Sequence, residues 1–268
     1  MNNTFEIQRF LLLIRRQWIS NKKEYLLIVG SIVSILLFYY GIQIYSIMDI
    51  FENSKPYVEY INFSSRIGLF CIVGILYITL TSSLYFRKFG KNGTAIPELM
   101  LPASQLEKFL TSFFYTIVIG FSVYFIIFYL IDFGFIAIFK NHLIEEFPEL
   151  DSARLDEKME YFFPYINNES IKYMIFIPFL LNAIFLLGSL YFTKNQYIKT
   201  LVSIAVYIFI AIIIIGFISK ILFSGSIQLE RNSLISDFEM PKLLCFGGWV
   251  LCFALWIITF IRLKEKEV

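Results

Sequence analysis

The chain has 268 residues; 58% are hydrophobic and only 16% are charged, against roughly 25% charged in an ordinary soluble domain. A net charge of +2 and one histidine, His142, exclude a histidine-based metal or catalytic cluster, and no nucleic-acid partner is expected. Cys71, Cys245 and Cys252 all fall in hydrophobic stretches; they read as small buried hydrophobes, with no disulfide framework or zinc spacing.

The apolar residues are gathered in blocks about 20 or more residues long, enough to cross a hydrocarbon core of ~30 Å as helices. They are apolar all round, so lipid rather than a protein core is their natural solvent. The predicted fold is an all-α integral membrane protein: six transmembrane helices preceded by an N-terminal amphipathic helix, with no soluble domain.

Residues 1–24 open the chain. Ile7, Phe10, Leu11, Ile14 and Trp18 share one face at helical spacing, while Arg9, Arg16 and Lys23 recur on another. A basic amphipathic helix with Trp on its apolar side fits one lying in the membrane interface; a cytoplasmic helix packed on a partner is the alternative. The following block is too long for a signal h-region and lacks a small-residue cleavage site, so no cleavable signal is expected.

Spans are expected at Tyr25–Met48, Ile67–Phe86, Phe109–Phe139, Ile171–Phe192, Thr200–Phe223 and Leu243–Ile261. The third is overlong. Its membrane-crossing part, 109–132, ends near Asp132, and the remainder continues above the bilayer or tilts. Pro178 is expected to kink the fourth span.

With the N-terminus inside, segments 1–24, 87–108, 193–199 and 262–268 are cytoplasmic and carry fourteen Lys and Arg; the outer segments carry nine. The positive-inside rule favours this orientation, and six spans return the C-terminus to the cytoplasm. The outer loop 140–170 is acidic, with Glu145, Glu146, Glu149, Asp151, Asp156, Glu157, Glu160 and Glu169. A short helix is expected around Ala153–Phe163. The loop is too small for more than a cap.

The loop between spans two and three, 87–108, carries the most information. Arg87 and Lys88 form its stalk, and Gly90 and Gly93 supply a turn permissive of positive φ. Thr94 can cap a short helix through Ala95, Ile96, Pro97, Glu98, Leu99, Met100 and Leu101. Pro97 falls in its first turn, where a missing N–H costs least. Pro102 then stops that helix. Ser104 and Glu107 form an S-x-x-E capping box that opens the helix of span three. Ile96, Leu99 and Met100 need lipid or a protein partner; packing of the loop on its own bundle is the alternative.

The F-R-K-x-G-K-x-G-T-A start of this loop (Phe86–Ala95) and its L-P-A-S-x-x-E-K-F end (Leu101–Phe109) resemble the corresponding loop of bacterial ABC-2 type transporter permeases. The layout is similar over the full chain, as are Arg15–Trp18 and the Arg262–Glu267 tail. The resemblance implies that Thr94–Leu101 is a coupling helix docking on an ABC ATPase subunit, with junctions at Arg87, Lys88, Ser104 and Glu107. It also implies a second permease subunit, identical or related, and ATP and magnesium held by the ATPase. The chain has no G-x-x-x-x-G-K-[ST] of its own.

Three other function classes compete: an intramembrane enzyme, an ion-coupled secondary transporter or channel-like protein, and a non-transporting membrane anchor, which would show neither catalysis nor transport. An intramembrane enzyme needs acids and histidines at membrane depth, and His142, Glu145 and Glu146 lie in the outer loop. An ion-coupled carrier needs ionisable groups near the midplane. Asp132 and Lys220 are instead expected to snorkel at outer span ends. Asn182 is the deep polar residue best able to line a pathway, though an interhelical hydrogen bond is its ordinary role.

One check on orientation follows. Thr193→Cys should react with a membrane-impermeant maleimide only after permeabilisation, and Ser152→Cys in intact cells; the opposite pattern inverts the topology.

Overall fold

The computed structural model describes residues 5–53, 61, 63, 65–90, 95–97, 100–148, 154–155, 159, 162, 173–222 and 240–266. Lipid offers no hydrogen bonds to backbone, so an apolar chain satisfies its N–H and C=O groups within helices. Among the described residues there is no strand. The helices are α1 (Ile7–Asn53), α2 (Ser65–Tyr85), α3 (Gln105–Glu146), α4 (Phe176–Tyr191), α5 (Gln196–Leu222) and α6 (Met240–Lys266). All but α4 are long and apolar enough to cross a membrane, and α4 is a shorter apolar helix. The protein is an all-α, multi-pass membrane protein.

Three boundaries differ from the sequence pattern. α1 is one 47-residue helix, about 70 Å long at 1.5 Å per residue, so residues 7–24 run into the first span without a break. Ser20–Tyr25 contains no Pro or Gly to interrupt it. α3 continues past Asp132 as its overlong apolar run leads one to expect, but ends at Glu146 rather than Phe139, and it contains a π-helical stretch at Phe114–Ile119. α4 starts at Phe176, after a turn at Ile175 that separates it from helical Tyr173 and Met174. The helix is thus interrupted just ahead of Pro178, which has no N–H to donate to the Met174 carbonyl, in keeping with the kink expected of it.

The chain divides into two compact units. The first comprises 1–10, 82–112 and 172–268; the second comprises 11–81 and 113–171. In the first unit α4 packs on both α5 and α6. Glycines permit this closeness. A Cβ on Gly188 would sit 2.0 Å from Thr200 Oγ1, and one on Gly248 would sit 2.2 Å from the Phe176 ring. Small residues at helix contacts are the usual means of close approach in membranes. The turn from α4 to α5 places Asn195 in the left-handed region, φ 51°, which Asn tolerates. Gln196 Nε2 then donates to Ser189 O at 2.8 Å and Phe192 O at 2.7 Å, covering carbonyls left open at the end of α4. From Leu201 to Ile218, α5 buries no residue within the chain.

In the second unit Tyr124 Oη donates to Phe70 O at 2.6 Å, tying α3 to α2. Tyr115 Oη donates to Ile14 O at 2.6 Å, tying α3 to α1. Beyond Asp132, Ile136, Phe139 and Leu143 of α3 meet Ile47 and Phe51 of α1, joined by Ile61, Phe63, Leu155 and Met159. Both inter-helix segments thus contribute to an apolar cap. Most of the short helix expected at Ala153–Phe163, and Glu149, Asp151, Asp156, Glu157, Glu160 and Glu169, lie outside the described residues.

Asp132 is the anchor of this unit and does not snorkel. It is buried, and Arg66, 1% exposed, donates from Nη1 to its Oδ1 at 3.2 Å. Tyr40 Oη donates to the same oxygen at 2.5 Å, and the Phe162 N–H to Oδ2 at 3.3 Å. Arg66 Nε also donates to Phe63 O at 3.2 Å. A buried carboxylate is tolerable only when paired and hydrogen-bonded. Here α1, α2 and the segment after α3 each supply a donor. Asp132→Leu should therefore cost about 3–5 kcal/mol, because Arg66 is left buried without its anion. Arg66→Met together with Asp132→Leu should recover most of that loss; thermal unfolding in detergent of the single and double variants measures both.

Candidate functional site

The site is built where α2 ends and α3 begins. After α2 the chain turns at Phe86 and forms a 3₁₀ helix over Arg87–Gly90, with Phe89 N–H donating to Phe86 O at 3.0 Å. No described glycine has positive φ, so Gly90 closes this turn without the left-handed geometry expected of it; a 3₁₀ turn keeps right-handed dihedrals. Gly93 and Thr94 lie outside the described residues, as do Glu98 and Leu99. Arg87 and Lys88 are half-buried. The 3₁₀ turn packs on α4. Beneath it Phe86, Leu186, Leu190 and Leu263 form a buried cluster flanked by Tyr85, Phe89 and Phe109. Ends of α2, α4 and α6 and the start of α3 thus make its floor.

Ala95–Pro97 are helical, and Met100 N–H donates to Ile96 O at 2.9 Å. Ile96 is 59% exposed and Met100 76% exposed. Pro97 is also exposed, while Ala95 and Leu101 are half-buried. The described part of the short helix therefore turns apolar side chains outward.

The capping box forms as the S-x-x-E spacing predicts. Ser104 N–H donates to Glu107 Oε2 at 2.8 Å, and Glu107 N–H donates to Ser104 Oγ at 3.2 Å. What the spacing does not reveal is the other oxygen. Glu107 is fully buried, 0% exposed. Its Oε1 accepts the Glu6 N–H at 2.8 Å and pairs with Arg9 Nη2 at 3.1 Å. Arg9 Nε also lies 3.1 Å from Glu6 Oε2. Arg9 thus serves a buried carboxylate rather than only the polar face of an interfacial helix. The capping box leaves one carboxylate oxygen without a donor, and a buried acceptor requires one. The signal available in sequence was the buried S-x-x-E itself: a capping box next to apolar helix implies a partner for the spare oxygen.

Asn182 is fully buried, and its Nδ2 donates to Ser82 Oγ at 2.7 Å, from α4 to α2. The geometry is the interhelical bond that is the ordinary role of such a residue. Among the described residues no three His, Cys, Asp or Glu side chains come together as a metal site would need. The chain matches no protein-family model, no curated protein and no solved structure.

The site is thus a loop whose two roots are rigid, one packed on α4 and one capped and clamped to residues 6–9. Removing the clamp should cost more than a cap alone. Glu107→Ala is expected to lose clearly more than the ~1 kcal/mol of a missing N-cap, while Ser104→Ala loses about that amount. In a double-variant cycle with Arg9→Met, the Arg9–Glu107 coupling should be non-additive; unfolding midpoints of the four chains give the coupling directly.

Proposed function

We propose that this chain is the transmembrane permease subunit of an ATP-driven exporter of the ABC-2 type, in a bacterial cytoplasmic membrane with both termini cytoplasmic. It couples ATP hydrolysis on a separate ATPase subunit to export. The observation that carries the reading is the pairing of exposed Ile96 and Met100 with rigid roots. An apolar knob facing water calls for a protein partner. Stiff roots at the 3₁₀ turn and at the Ser104–Glu107 box let force applied to the knob reach α2 and α3. Transport then proceeds as a switch of the bundle between two packings, in a dimer with an identical or related permease. ATP and magnesium belong to the partner. The resemblance of the 87–108 loop to ABC-2 permeases supports the same assignment.

One observation favours a second reading. The buried Arg66–Asp132 pair is the kind of ionisable group that marks ion-coupled carriers. Against it, all described neighbours of Asp132 are donors that hold it as a fixed acceptor, as a structural anchor does.

The test is co-expression with a candidate ABC ATPase subunit, sought among neighbouring genes, followed by reconstitution in vesicles. The permease should retain the ATPase and raise its turnover. Ile96→Asp with Met100→Asp should abolish both effects while the permease stays folded. Retention and turnover unchanged in that variant would refute the docking assignment. Transport driven by a proton or ion gradient without any ATPase would establish the carrier instead.

A further inference from the structure

We propose that the α4–α5 turn and the last turns of α6 form a binding surface for the phosphate headgroup of an anionic phospholipid. The inference is independent of the ATPase reading.

The turn presents two adjacent rings, Tyr191 and Phe192, with centroids 5.6 Å apart. Each carries a cation. The Arg262 guanidinium of α6 lies 5.2 Å from the Tyr191 centroid, and the Lys199 ammonium of α5 lies 5.9 Å from that of Phe192. Cations held on aromatic faces are fixed in position while remaining able to meet an anion. Lys194 in the turn and Lys264 on α6 are exposed nearby in the chain, and Lys266 stands one helical turn beyond Arg262. Among the described residues of 191–199 and 262–266 the sole acid is Glu265, already paired with Arg262 Nη1 at 2.5 Å. Five cations stand against this one acid, with Glu267 next in the sequence, and the excess favours an anion at this surface.

A second observation points to an acceptor. Arg262 Nε is buried, and among the described residues it has no hydrogen-bond partner. That atom is shielded, but the Arg262 side chain as a whole is 39% exposed, and a phosphate oxygen is an acceptor that an accessible guanidinium edge takes readily.

The apolar surroundings decide between a lipid and a soluble anion. Ile198 and Leu201 on α5 and Ile257, Ile258 and Ile261 on α6 are exposed next to these cations in their helices. A free phosphate would use the charges alone. A phospholipid uses both, with its phosphate at the Lys and Arg side chains and its acyl chains along the apolar faces, the arrangement that aromatic and basic residues mark at a membrane interface.

The experiment uses the full-length purified chain, with bound lipid read by native mass spectrometry after equilibration with phosphatidylglycerol or phosphatidylcholine. Phosphatidylglycerol should be retained selectively, and Lys199→Gln with Arg262→Gln should reduce its retention roughly tenfold. Lys220→Gln, at the opposite end of α5, should leave it unchanged. Lys194→Gln with Lys199→Gln alters exposed side chains only, so a loss there cannot be misfolding, and Lys199→Arg should rescue. Equal retention of the two lipids, or an equal loss in Lys220→Gln, overturns the proposal. So does full displacement of phosphatidylglycerol by inorganic phosphate, which would make this a soluble-anion site.

Discussion

A carboxylate removed from water must be given donors by the protein, and that constraint organises both units of this chain. Asp132 gathers an arginine, a tyrosine hydroxyl and a backbone N–H. Glu107 gathers two backbone N–H groups and an arginine. In neither case do neighbours in sequence suffice. The donors come from α1, from the start of α2 and from the segment after α3, so satisfying one acid fixes several pieces of chain at once. Apolar packing in a membrane has no hydrophobic driving force to rank one arrangement of helices above another. Polar groups that tolerate only one set of partners supply part of that specificity.

The two acids differ in what they hold. Asp132 sits beside an apolar cap made by the C-terminal ends of α1 and α3 and by short pieces of the segments between helices. Its role is to bring irregular chain into register with helices. Glu107 works at the start of a helix, where it does two jobs with two oxygens: one closes the capping box, the other draws residues 6–9 onto the same point. The loop that precedes it consequently has a stiff end, and the opposite end is stiffened by aromatic and leucine packing on α4. Between these lie Ile96 and Met100, facing outward. The docking proposed for this loop requires such roots, since a knob on a slack tether transmits nothing.

How much of this was legible depends on the range of the interaction. The S-x-x-E box is local and was readable residue by residue, as were the helical class and the approximate position of each apolar block. The length of α3 past Asp132 was also legible, because Phe133–Phe139 remains apolar, with one glycine and no proline. The interruption of the helix at Ile175 was legible too, because Pro178 denies the Met174 carbonyl its donor. Asp132 was misread as a snorkelling end group because its partner, Arg66, lies 66 positions away, and nothing in the pattern around either residue announces the other. Arg9 was assigned to a polar face for the same reason; its partner is Glu107.

Composition and periodicity by themselves determined that this chain lives in lipid, that it does so as helices, and where one loop is capped. They could do so because hydrocarbon permits little other than helix and because a capping box closes within four residues. The tertiary structure alone decided which charges are buried together, which glycines let α4 approach α5 and α6, and which face of the loop is left outward. Each of these depends on residues far apart in sequence, brought together by packing and by the need of buried charges for partners.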